Sequence, residues 1–265
     1  MADQGEEVSG VRTVKSADRA LALLEYLISS RDPRTLKEVT EALAIPRASA
    51  YALLVTMERR GWVEATENRY SPGLRSLQAA VSAIDLDPTV RRTEQVRYAL
   101  NSELRETVHL ARLDKSEVVY IQSLTAPNRH SALLRLGRRL PAHACSLGKV
   151  LLAARPWSDV SAILPKVLTA VTTHTITDRD VLRLELEKTA ARGYAEETEE
   201  NTLGLTCYAV AVPAVTTPSY AISCSMPLDG LTAEHKHLVR DRLLQAAQRL
   251  ASDIGDYRHS PAPVA

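Results

Sequence analysis

Residues Thr35–Trp62 read TLKEVTEALAIPRASAYALLVTMERRGW, and this stretch decides the fold. It opens on Thr35-Leu36-Lys37-Glu38, a capping box in which the Thr hydroxyl takes the third helical amide and the Glu reaches back. Leu36, Val39 and Leu43 then recur at helical spacing in a short helix that stops by Ala44. Ala44 and Ile45 leave room only for a tight connection. Pro46 suits the first position of a new helix. In that helix Ala50, Leu53, Leu54 and Met57 fall at i, i+3, i+4 and i+7 and share one buried face. Gly61 ends it.

Upstream, Ala17–Ser29 predicts a helix with Leu21, Leu24, Leu27 and Ile28 on its apolar face, broken by Arg31 to Arg34. Downstream, Trp62–Ala65 and Arg69–Ser71 read as two strands around Thr66-Glu67-Asn68, a candidate wing. Two short helices joined by a tight turn make a helix-turn-helix, whose second helix places its first side chains against base edges. Those are Arg47, Ala48, Ser49 and Tyr51. Arg47 can pair with guanine or phosphate, and Ser49 and Tyr51 can donate to phosphate oxygens. Thr35 marks a helix start with amides free for phosphate, and Arg69 sits at the wing base. The same spacing also suits a three-helix interaction module that binds protein and no DNA.

Charge does not decide between these readings. The net formal charge is +1, and Val11–Arg75 holds eleven Lys/Arg against eight Asp/Glu. That is weak for a domain meeting phosphate. Phe is absent and only two Trp and nine Tyr occur, so the core is aliphatic and a single-strand stacking platform is disfavoured. No apolar run reaches the length of a membrane span, and Met1–Gly10 lacks the features of a signal peptide. A cytoplasmic protein without membrane contact is expected. Three cysteines without a CxxC pair give neither a disulfide framework nor a zinc ribbon.

Beyond the wing, Gly73–Ile84 predicts a linker helix and Pro88–Glu106 a longer one. Strands are expected at Thr107–Leu113, Val118–Leu124, near Ala132–Leu136, at Cys207–Val215 and at Tyr220–Met226. Helices are expected at Ser146–Ala154, Asp178–Arg192 and Thr232–Tyr257. This order suggests an α+β chain whose second part is an antiparallel sheet flanked by helices.

The same residues carry a resemblance. Ser16-Ala-Asp-Arg-Ala-Leu21, Thr35–Val39, Ile45–Tyr51, Gly61-Trp62-Val63 and Arg69-Tyr70 resemble the N-terminal domain of IclR-type transcriptional regulators. Thr107–Leu110, Val118–Ile121, Leu140–Lys149, Gly193-Tyr194, Glu199-Glu200, Gly204-Leu205 and Cys207–Pro213 are similar to that family's second half, in family order. Ala48 and Ala52 depart from it, standing where a hydroxyl or charged residue and an Arg are usual.

The resemblance implies a winged helix-turn-helix over 11–72, a linker helix over 73–87, and a GAF-like effector-binding and oligomerisation domain over 88–258. Tails at 1–10 and 259–265 are expected to be disordered. It implies a homodimer or homotetramer, a double-stranded DNA operator and a small-molecule effector, a carboxylate or aromatic metabolite. Carried over by motif, the effector wall comprises Leu140, Ser146, Leu147, Glu197, Cys207, Ser223 and Ser225. Physical logic supports part of this. Ser146 lies at a helix start, where amides and the dipole favour an anion. Ser223 and Ser225 alternate onto one strand face. Glu197 fits an anion only if protonated or bridged, and otherwise suits a hydroxyl or amine.

No catalytic residue, metal site or cofactor is expected. Ser146-Leu-Gly-Lys149 matches a nucleophile pattern of penicillin-recognising enzymes, but its S-D-N and K-T-G partners are missing. His143, Cys145 and Cys207 could bind zinc only if the fold gathered them.

Overall fold

Helix α1 (Lys15–Ser29) comes first, and its burial corrects the face read from sequence. Leu23 and Leu27 point into the core, with Ala20 and Leu24 packed beside them. Leu21 and Ile28 remain 61% and 59% exposed. All these residues are apolar at helical spacing, so periodicity alone does not select the stripe that meets the neighbouring helices. The computed structural model describes residues 13–127 and 136–257, with side chains as far as residue 252. Both expected tails lie outside these residues, as does the strand expected near Ala132–Leu136 apart from Leu136 itself, which sits in a turn.

The chain divides into two compact units, Met1–Leu86 and Asp87–Ala265. In the first, β1 (Arg34–Thr35) leads into α2 (Leu36–Leu43). Ala44, left-handed at φ 50°, turns the chain toward α3 (Arg47–Arg59), with Pro46 as N-cap. Strands β2 (Val63–Thr66) and β3 (Arg69–Pro72) follow. They pair with Thr66 opposite Arg69, leaving Glu67 and Asn68 as a two-residue turn with φ of 51° and 61°. Positive φ at both centres matches the twist of a hairpin. The short β1 completes a sheet in the order β1-β3-β2. Leu23, Leu27, Val39, Ala50, Leu54 and Met57 form the core beneath. Helix α4 (Leu74–Asp85) closes the unit and buries none of its residues.

The second unit starts with α5 (Pro88–Leu104), capped by Asp87, whose Oδ1 accepts from the amides of Thr89 and Val90. Then come β4 (Thr107–Asp114), β5 (Glu117–Leu124) and β6 (Arg139–Pro141). A 3-10 turn, Ala142–Ala144, leads into α6 (Ser146–Ala153). Helices α7 (Trp157–Ile163) and α8 (Arg179–Arg192) follow. Strands β7 (Ala195–Thr198), β8 (Leu205–Ala211) and β9 (Tyr220–Pro227) precede the final helix α9 (Ala233–Tyr257). Every neighbouring pair in the sheet β6-β5-β4-β9-β8-β7 is antiparallel.

Both faces of this sheet are covered, so Thr107–Ala111 of β4 and Ala221–Met226 of β9 are buried without a break. One face packs Ala111, Ala195, Ala209 and Ala221 against Leu147 and Leu151 of α6. The alternate residues Val108, Leu110, Ile222 and Cys224 point the other way, to the side where α5 and α9 pack. The alanines let α6 approach closely. Gly148 carries the same logic further: a Cβ there would fall 2.1 Å from the Ala142 carbonyl oxygen. Among the described residues no helix is long and apolar enough to cross a membrane.

Candidate DNA interface and effector pocket

The capping box forms as its residue types dictate. The Glu38 amide donates to Thr35 Oγ1 at 3.3 Å, and the Thr35 amide and hydroxyl each donate to Glu38 Oε2 at 2.8 Å. These bonds, with Arg34 at 3.2 Å, hold the Glu38 carboxyl down at about 2. Thr35 also stands directly opposite Arg69 across β1 and β3, so the two residues share one corner. Arg69 Nη1 donates to the Pro33 carbonyl at 3.1 Å, which fastens the wing base to the loop before α2.

At the head of α3, Arg47, Ala48 and Tyr51 are exposed and Ser49 is half-buried. Tyr51 is 54% exposed, a large ring left in solvent on a helix whose opposite face is sealed. Ala50, Leu54 and Met57 seal it, with Leu53 partly buried beside them. The helix is thus anchored from behind and open in front.

In the second unit, strand register assembles a polar rung. Glu197 of β7 faces Cys207 of β8, which faces Ser225 of β9, which faces Thr107 of β4. Cys207 Sγ lies 3.2 Å from Ser225 Oγ, and its thiol also bonds the Glu197 carboxylate. Glu197 Oε2 accepts from the Glu200 amide at 3.0 Å. Burial dominates its titration and pushes Glu197 up to about 7, against the Cys207 and Glu200 hydrogen bonds that lower it.

Ser223 belongs to the next rung on the same face, opposite Ala209 and His109. His109 Nδ1 lies 2.8 Å from Ser123 Oγ, and its ring meets Tyr120 edge-on at 5.0 Å. Leu140 and Leu147 sit in the apolar cluster that α6 buries against the sheet. Ser146 is the first residue of α6, buried, behind an N-cap Cys145 whose side chain makes no capping bond. One turn on, buried Lys149 reaches Glu200 Oε1 at 2.5 Å.

Register therefore unites Glu197, Cys207 and Ser225, and puts Ser223 one rung away. Lys149, Glu200, His109, Ser123 and Thr107 stand in the same surroundings and were absent from the expected wall. Alternation along β4 signals Thr107 and His109, and Lys149 lies one helical turn after Ser146, but neither pattern defines the partner strands that bring in Ser123 and Glu200. His143, Cys145 and Cys207 are not gathered. His143 Nε2 bonds the Thr169 carbonyl at 3.1 Å, and Cys145 Sγ donates to the Pro141 carbonyl at 3.7 Å. Among the described residues no cluster of three or more His, Cys, Asp or Glu forms a metal-binding group.

Two family models match the chain. "Bacterial transcriptional regulator IclR C-terminal" matches residues 78–254, and "IclR helix-turn-helix domain" matches residues 16–67. The HTH-type transcriptional regulator KdgR of Dickeya chrysanthemi is 29% identical over 92% of this chain and 81% of its own length. The transcriptional repressor IclR of Escherichia coli is 28% identical over 92% of both chains. An IclR transcriptional regulator from Alicyclobacillus acidocaldarius shares the fold at TM-score 0.80 and 24% identity, over 91% of this chain and 99% of that one. An IclR homologue from Microbacterium hydrocarbonoxydans, solved with 4-hydroxybenzoate, aligns at TM-score 0.76 and 25% identity over 92% of this chain and 100% of that one.

Proposed function

The chain belongs to the IclR family of DNA-binding, ligand-responsive transcriptional regulators, and from that premise we propose which residues do each task. The head of α3 enters the major groove of a duplex operator, with Arg47 and Tyr51 foremost and Ala48 and Ser49 beside them. Thr35 and Arg69, paired across β1 and β3, meet the adjacent phosphates. Exposure of Arg47 and Tyr51 on a helix anchored by Ala50, Leu54 and Met57 carries this reading.

One copy presents a weakly basic face, eleven Lys/Arg against eight Asp/Glu over Val11–Arg75, so the phosphates of two half-sites are needed for tight binding. The protein works as a homodimer or homotetramer. Val14, Leu21 and Ile28, seven residues apart on or just before α1, are exposed, as are Leu74, Leu77 and Val81 on α4. These stripes are the surfaces a second copy covers in bringing two α3 helices to two half-sites.

The rung Glu197-Cys207-Ser225, with Ser223, Ser146, Leu140 and Leu147, receives a small carboxylate or aromatic metabolite. A proton on Glu197 turns that carboxyl into a donor for an anionic effector, and Ser225 adds a hydroxyl. The protein acts in the cytoplasm, without cofactor or catalytic step. An effector that prefers one DNA-affinity state shifts operator occupancy.

The test is a footprint on the DNA upstream of the chain's own gene, with Arg47→Ala as the variant. Its operator affinity is expected to fall by ~1–3 kcal/mol while melting is unchanged. Unchanged affinity would remove Arg47 from the interface. No protection even at low salt, where phosphate attraction is strongest, would favour a protein-binding module instead.

A further inference from the structure

A second cleft, away from the β7-β8-β9 rung, opens among the C-terminal end of α6 and helices α7 and α8. Its volume is about 320 Å³. That is near the lower end for small-molecule pockets and suits a single ring. Buried Leu152, Val160 and Leu186 make the floor, and half-buried Trp157 makes one wall. Ala153 and Ala190, where longer side chains would intrude, leave the space open.

The three arginines around Trp157 are differently engaged. Arg179 donates to the carbonyls of Pro165 and Ser161 and to Ser161 Oγ. Arg183 pairs with Glu187 at 3.0 Å, and both Arg179 and Arg183 hold their guanidinium carbons within 6 Å of the Trp157 rings (5.8 and 5.9 Å). Arg155 lines the cleft and donates from Nη1 to the Leu151 carbonyl. Asp159 acts on it only through its field, and among the described residues Arg155 makes no ion pair. A guanidinium stays charged in proteins, and its fork matches a carboxylate. Within the lining Glu187 offsets Arg183, and Asp159 nearby balances part of the Arg155 charge without taking its fork, so the Arg155 guanidinium is the cation left for a carboxylate to pair with directly.

We propose that this cleft is a second ligand site, which takes a small monocarboxylate with an apolar, single-ring body. Arg155 holds the carboxylate, and Trp157, Val160 and Leu186 cover the ring. The site stands apart from the rung read as the effector pocket. Ser146 begins α6 and Ala153 ends it, so the two positions lie about 10 Å apart along the helix axis.

The chain has two tryptophans, so Trp62→Phe leaves Trp157 as the sole indole reporter beside the cleft. In that full-length background, benzoate is titrated while indole emission is followed. A saturable change is expected below about 10 mM, as for a Kd of ~1 mM. Benzamide, which lacks the charge, and acetate, which lacks the ring, should give none. Arg155→Met, keeping the stem, and Ala190→Leu, filling the mouth, should each weaken the response about tenfold. Glu197→Gln should leave it unchanged.

Absence of a saturable response, or full retention in both Arg155→Met and Ala190→Leu, would overturn the proposal. Loss in Glu197→Gln alone would assign benzoate to the rung and overturn it equally. Indole N–H resonances of each variant, recorded without ligand, separate lost binding from lost folding. If Arg155→Met is misfolded, Ala190→Leu, at an exposed position, decides alone.

Discussion

Glu197 and Glu38 are both glutamates, and their surroundings send them in opposite directions. Burial raises Glu197 to about 7, whereas hydrogen bonds from Thr35 hold Glu38 at about 2. Between pH 4.5 and about 7 the folded chain keeps a proton on Glu197 that an unfolded chain has shed. Stability of the second unit therefore falls as pH rises through that window and levels above it. Glu38 contributes the reverse, a gain present above pH 4.5 that is lost as pH falls toward about 2. Glu197→Gln is expected to flatten the neutral slope, checked by melting at about pH 5 and about pH 8. A slope unchanged in the variant would assign it to another group. The sequence disclosed these two carboxyls unequally. Thr35 and Glu38 lie three apart, so their bond could be read directly. Glu197 meets Cys207 and Ser225 only through strand register, and His109 meets Ser123 in the same way.

At the level of elements, α6 depends on Gly148. A Cβ at that position would meet backbone, 2.1 Å from the Ala142 oxygen and 2.4 Å from its Cα, and neither is a flexible side-chain end. Gly148→Ala is expected to force α6 off the 3-10 turn and cost the second unit ~1–3 kcal/mol. Calorimetry should show the first unit's transition in place and the second lowered. An unshifted second transition would mean that α6 tolerates the displacement. Long elements such as α5, α8 and α9 were legible because their patterns run for several turns. Strand β1 has two residues, and β7 reads Ala-Glu-Glu-Thr, a composition depleted in strands. Helix α7 holds seven residues, too few for a period to stand out. For α1, several apolar positions competed for the core, and Leu23 with Leu27 won over Leu21 with Ile28.

For the molecule as a whole, the small basic excess over Val11–Arg75 matters more than any one contact. A single copy gathers few phosphates, so operator binding should depend on pairing of chains. Leu21→Glu combined with Leu77→Glu changes two exposed positions, so each unit should keep its fold. Sedimentation is expected to show a smaller species, and operator affinity should fall at least as far as for Arg47→Ala. If the assembly and its affinity both persist, another surface joins the copies. Fold class was readable at this scale because the order of helices and strands survives errors at single residues. The rungs were not readable, because they join β4, β7, β8 and β9, which are scattered from residue 107 to residue 227.

The sulfur atoms add a practical consequence. Cys145 and Cys224 are buried and Cys207 is only half-buried, with all three unbridged. A gentle alkylating reagent applied to the native chain would therefore find one sulfhydryl first, the Cys207 thiol on β8 beside Ser225. Its rate becomes a clock for occupancy: any metabolite resting on β8 slows the modification, with no engineered label and whatever the compound's identity.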